Sequence, residues 1–261
     1  MKASMYAKRI IVLLSIAAFG MLSSACGDNK EAASAEITVS AAVSMKSALT
    51  KLEENYERIH PDVHITFNYG SSGTLEQQIE QGAPVDLFLS AGMKQMESLF
   101  SRKLVLPSVP IVRNELVLIV PKTGRMPADL KALTESGYKR IAVGTPETVP
   151  AGDYTKQSLT DEGIWDMLQN KIVYGKDVRQ VLTYVETGNA DAGFVYKTDA
   201  QTSDKVKTVL QVDEHSHDPI IYPGAVVSAS KQQDKAGALL DYMTSDEGQS
   251  VFENFGFTKA E

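Results

Sequence analysis

From residue 36 onward, short apolar runs alternate with stretches in which apolar residues recur every three or four positions. "EITVSAAVS" (36–44) ends in small residues and predicts a buried strand running into a tight loop. In residues 45–61, Met45, Leu49, Leu52, Tyr56 and Ile59 share one helical face, and Pro61 stops the helix. "DVHITFNYG" (62–70) alternates as a strand, 73–82 reads as a short helix, 85–91 as a continuous apolar strand, and 93–103 again as helix. The pattern resumes with strands at 115–121, 140–146, 171–175 and 192–196. Helices are predicted at 153–161, 163–169, 178–187 and 234–244. Repeated strand–helix units imply an α/β fold with mostly parallel sheets flanked by helices.

The N-terminus departs from this pattern. Lys2, Lys8 and Arg9 precede an apolar stretch at 10–22 and then "SSAC", the layout of an export signal. That stretch is too short for a comfortable membrane span. Cys26 is the only cysteine of the 261 residues, so no intramolecular disulfide is possible. It reads either as an incidental small residue near an ordinary cleavage site or as the lipidated cysteine of a lipobox. Small residues before it and the polar tether after it favour lipidation, although Ser23 stands where leucine is usual. The expected division is a lipoprotein signal peptide at 1–25 and a tether at 26–36.

Composition narrows the function. With 43% hydrophobic and 23% charged residues, the chain is an ordinary globular protein. Its net charge of −7 argues against a nucleic-acid partner. A small anion is a different matter, because backbone dipoles decide that case locally. Four strand-to-helix junctions are rich in small residues: "AAVSMKS", "YGSSGT", "TPETVPAGDY" and "YGKDVRQ". Each presents N–H groups and the positive end of a helix. "NYGSSGTLEQQI" looks like a phosphate loop without its lysine, which points to a neutral cradle.

Three longer pieces, "GAPVDLFLSA" (82–91), "AVGTPETVPAGDYTKQSL" (142–159) and "DVRQVLTYVETGNADAGFVYKTDA" (177–200), occur in order. Together they make the chain resemble the substrate-binding proteins of molybdate ABC transporters over nearly all of its length after the signal. The resemblance implies a two-lobe fold of the type II periplasmic-binding-protein kind, with the ligand in the interlobe cleft. Lobe 1 is expected at 37–116 plus 222–261 and lobe 2 at 117–221. It also implies five oxyanion contacts: Ser44 in "AAVS", Ser72 in "SSGTL", Ala151 in "VPAG", Val178 in "DVR" and Tyr196 closing "GFVY". Gly73 stands where some relatives have another serine. The implied partners are molybdate or tungstate, the permease and ATPase subunits of a transporter, and the membrane through the lipid on Cys26. A monomer without a cofactor is expected.

The residues accord with that implication. Ser44, Ser72 and Tyr196 offer hydroxyls, whereas Ala151 and Val178 can offer an anion only their main chain. Arg179 is read as a structural ion-pair partner for a carboxylate near the cleft. His215 and His217, in "DEHSHD", are read as a solvated loop rather than a metal site, and His60 and His64 carry no motif. The rival readings are a binding protein for sulfate, phosphate or another oxyanion, an exported α/β hydrolase, and a sensor or adhesin module. No G-x-S-x-G elbow is present, so no enzyme is expected.

Overall fold

The computed structural model describes residues 35–260. The signal sequence, Cys26 and nearly all of the tether lie outside the described residues. Two mixed sheets form the framework, and the chain crosses between them twice. In the first, β1 (Ala35–Ala42) pairs in parallel with β2 (Val63–Gly70) and β3 (Leu87–Leu89). This sheet continues antiparallel through β10 (Ile221–Val226), β4 (Val109–Arg113) and β11 (Thr258–Lys259). In the second, β6 (Ile141–Gly144) lies parallel to both β7 (Ile172–Gly175) and β8 (Ala192–Tyr196). There β5 (Leu116–Pro121) runs antiparallel to β8 and to β9 (Val206–Gln211).

The expectation of mostly parallel sheets therefore needs correcting. β1 and β2, and β6 and β7, each joined through covering helices, pair in parallel, as the repeated strand–helix pattern predicts. The antiparallel pairs instead involve the strands at the two crossings: β10 pairs with β3 and β4, and β5 with β8 and β9, and none of these pairs is consecutive in the chain. The chain leaves the first sheet after Arg113 and enters the second at Leu116. It returns between Gln211 and Ile221. The result is a two-lobe α/β architecture.

Helix α1 (Lys46–Ile59) follows a 3-10 turn at Val43–Met45 and buries Ala48, Leu49, Leu52 and Tyr56 on one face. Helices α2 (Ser72–Glu80) and α3 (Met93–Ser101) follow β2 and β3. In the second lobe come α4 (Pro150–Asp161), α5 (Trp165–Leu168), α6 (Val178–Glu186) and α7 (Lys197–Ala200). The C-terminal α8 (Gln233–Thr244) packs on β10, and α9 (Asp246–Asn254) packs on α1. Three local differences from the pattern reading have simple causes. Pro150 opens α4 three residues before the expected start, because proline suits the first helical position. Gly163, at φ 72°, ends the preceding turn, so α5 shrinks to one turn. Helix α9 was not expected, although Ser245 caps it through Gly248 N at 3.2 Å and acidic residues fill its first turn.

Candidate functional site

Register places the four small-residue junctions. Ala42 and Gly70 end β1 and β2 as partners, so the segments starting α1 and α2 leave one sheet side by side. Gly144 and Gly175 end β6 and β7 as partners, and the segments leading to α4 and α6 leave the second sheet in the same way. The start of α4 lies hard against its strand: a Cβ on Gly152 would sit 1.9 Å from the carbonyl oxygen of Gly144. Only glycine permits that approach.

These segments enclose one small cavity between the lobes. Ser44, Ser72, Ala151, Val178 and Tyr196 all line it, with Ala42, Val43, Gly70, Ser71, Ala91, Val149 and Pro150. No charged side chain is among them. All five of the first group are buried. Arg113, Lys259, two histidines and two glutamates instead line a larger opening of about 550 Å³ beside the crossing segments.

Each residue presents a different donor. Ser71 is the N-cap of α2; its Oγ accepts from Thr74 N and its hydroxyl donates to Thr74 Oγ1 at 2.8 Å. Ser72 follows at the first helical position, where the helix supplies no acceptor for its N–H. Ser72 Oγ accepts from Ala91 N at 2.9 Å, which leaves its single hydrogen available to a ligand. Ala151 and Val178 stand in the first turns of α4 and α6, and their N–H groups likewise have no intrahelical acceptor. Asp177 caps α6 by accepting from Gln180 N at 2.8 Å. Tyr196 differs, because its hydroxyl donates across the cleft to Ala91 O at 3.2 Å. To serve a ligand it must exchange that partner. Burial first, then the neighbouring tyrosines and Asp199, push its phenol well above the ordinary range, so its proton is retained.

The lobes are closed on one another. Gly73 N donates to Thr148 O at 2.9 Å, and Lys94 reaches Asp153 at 3.2 Å. Beneath the cavity, Arg179 meets the carboxylate expected for it: Nε lies 2.8 Å from Oδ1 of the fully buried Asp199. Neither Asp199 oxygen accepts an aligned hydrogen bond among the described residues. Burial pushes this carboxyl up to about 7; Arg179 opposes the rise and Asp177 adds to it. Between the ordinary carboxylate range and about 7, the folded chain therefore holds a proton that the unfolded chain has released. Stability contributed by this group is present at low pH and is lost as pH rises through about 7. Replacing Asp199 by Asn should flatten the melting temperature over that window, which thermal melts across a pH series would show. An unchanged slope would assign the effect elsewhere.

His215 lies in an exposed 3-10 turn, and His217 packs its ring on Tyr154 with centroids 5.6 Å apart. Among the described residues, no cluster of three His, Cys, Asp or Glu is placed to hold a metal. The sequence reading missed Asn114 and Tyr222, which adjoin Ser44 through hydrogen bonds. No local motif marks either residue; only the fold brings them together.

Comparison with known proteins identifies the family of the chain. Residues 37–258 match the family described as bacterial extracellular solute-binding proteins. A protein of Bacillus subtilis, provisionally named the ABC transporter substrate-binding lipoprotein YvgL, is 46% identical over 97% of this chain and 99% of its own. The molybdate-binding protein ModA of Haemophilus influenzae is 38% identical, covering 87% of this chain and 91% of its own. A solved substrate-binding domain from Clostridium difficile, provisionally assigned to a molybdenum ABC transporter, is 46% identical with a TM-score of 0.68. It covers 87% of this chain and 100% of its own. This chain belongs to the bacterial extracellular solute-binding proteins.

Proposed function

We propose that this protein captures molybdate, or the closely similar tungstate, outside the cytoplasmic membrane and delivers it to an ABC transporter permease. Lipid on Cys26 would hold it at the membrane surface, and Ser44, Ser72, Ala151, Val178 and Tyr196 would bind the ion. The observation that carries this reading is the cavity itself, which is walled by hydrogen-bond donors from both lobes and lacks a charged side chain. Relatives that carry molybdate in their names point the same way.

Molybdate is fully deprotonated near neutral pH, so its oxygens only accept hydrogen bonds. Monohydrogen phosphate carries a proton, and burying it without an acceptor costs about 1–3 kcal/mol, or roughly fivefold to more than a hundredfold in affinity. Sulfate presents the same acceptors, so cavity size must reject it: its shorter bonds leave it too small to reach every donor. Helix starts supply partial positive charge without a fixed cation that would attract other anions.

Elemental analysis of protein purified from molybdate-supplemented medium, followed by calorimetry with sulfate in excess, tests the assignment. Displacement by sulfate would move it to another oxyanion. In the same assay Ser72→Ala removes a donor to the ion and leaves Ala91 N without its acceptor. The expected loss is about 1.5–3 kcal/mol, roughly tenfold to more than a hundredfold. Affinity equal to that of the parent would remove Ser72 from the site.

A further inference from the structure

A hydroxyl can donate or accept, so a donor-only site needs something to fix the polarity of Ser44. That control lies outside the cavity lining, where the chain passes from β4 to β5. Asn114 Oδ1 accepts from Glu115 N at 2.9 Å. Because that N–H can only donate, the amide oxygen must face it. The amide nitrogen therefore points the other way, donating to Thr198 Oγ1 at 2.9 Å and to the Tyr222 hydroxyl at 3.2 Å. Among the described residues the other aligned partner of the Tyr222 hydroxyl is Ser44 Oγ, at 3.1 Å, while the nearby Tyr196 hydroxyl already donates to Ala91 O.

These distances and roles set a direction. An amide N–H cannot accept, so the Tyr222 oxygen receives the hydrogen of Asn114, and its own hydrogen is left for Ser44. Ser44 Oγ then accepts, and its one hydrogen is free for the cavity that Ser44 lines. Tyr222 is fully buried. Burial, with Asp199 adding to it, pushes its phenol well above the ordinary range, so the relay keeps its proton.

We propose that Asn114, acting through Tyr222, holds Ser44 as a hydrogen-bond donor and so sets the site against oxyanions that carry a proton. Both are positioning residues, since neither lines the cavity. The inference rests on the oxyanion-binding reading and adds the cause of its selectivity.

Asn114→Asp exchanges the donor for an acceptor of nearly the same shape. Tyr222 then gives its hydrogen to the new carboxylate, Ser44 gives its own to Tyr222, and Ser44 meets the ligand with a lone pair. Titrations at about pH 8 would compare molybdate, sulfate and monohydrogen phosphate, all dianions there. The expected result is molybdate weakened at least about tenfold, with the phosphate-to-molybdate affinity ratio raised by a similar factor. A uniform loss for all three ions would reflect added negative charge alone and would overturn the relay.

Tyr222→Phe breaks the relay without adding charge, and covers the case in which the first variant does not fold. It should raise the same ratio by a smaller, several-fold amount; an unchanged ratio there also overturns the proposal. A parent protein that binds none of the three ions would instead sink the oxyanion reading itself.

Discussion

Val178→Pro loses molybdate affinity by at least about a hundredfold in calorimetry, while its melting temperature stays close to that of the parent. Residue 178 is the first helical position of α6, where proline is well tolerated because the N–H has no intrahelical partner. Asp177 is already extended, at φ −157° and ψ 170°, as the residue before proline must be. Its cap to Gln180 N does not involve the N–H of residue 178. What changes is the face turned to the cavity. The N–H is deleted and a ring carbon takes its place. A hydrogen bond to a charged group contributes about 1.5–3 kcal/mol, worth roughly tenfold to more than a hundredfold, and the ring adds a steric block. Val178→Ala keeps the N–H and should lose far less. Parent-like affinity in the proline variant would show that this main-chain donor is not used.

Much of the lining of the candidate site was legible in the sequence because its parts are local. A strand ending in small residues before a helix start can be read from a dozen positions, and "YGSSGT" and "YGKDVRQ" are such stretches. The fold places both at a single cavity. Arg179 could be expected to find a buried carboxylate, but periodicity did not identify Asp199 as that partner. The antiparallel strands β4, β9 and β10 were harder to read. Pro110 and Pro223 interrupt two of them, and nothing local distinguishes a crossing strand from a loop. Asn114 and Tyr222 are 108 positions apart, so their contact is a property of the closed chain and not of any segment. In the sequence Gly73 stands out only as a position where some relatives have another serine. The structure gives it a different part.

Gly73→Val should hold the lobes apart and lower molybdate affinity by about a hundredfold or more. A Cβ at Gly73 would lie 2.6 Å from Thr148 Cα and 2.7 Å from its carbonyl oxygen, on the opposite lobe. Both are backbone atoms, so no side-chain rotation relieves the clash, and the lobes must part. Locally the change is mild, because valine is no worse than glycine in a helix such as α2. The folded, open protein is therefore left intact and the closed one is penalised. On the proposed reading the donors are divided, with Ser44 and Ser72 on one lobe and Ala151, Val178 and Tyr196 on the other. An ion held by the first lobe alone forgoes three of the five contacts, and apparent affinity falls with the closed fraction. Small-angle scattering with and without molybdate reads this directly. The parent should contract on binding and Gly73→Val should not, with Gly73→Ala between them. A valine variant that contracts and binds like the parent would mean that the ligand-bound protein does not bring Gly73 against Thr148.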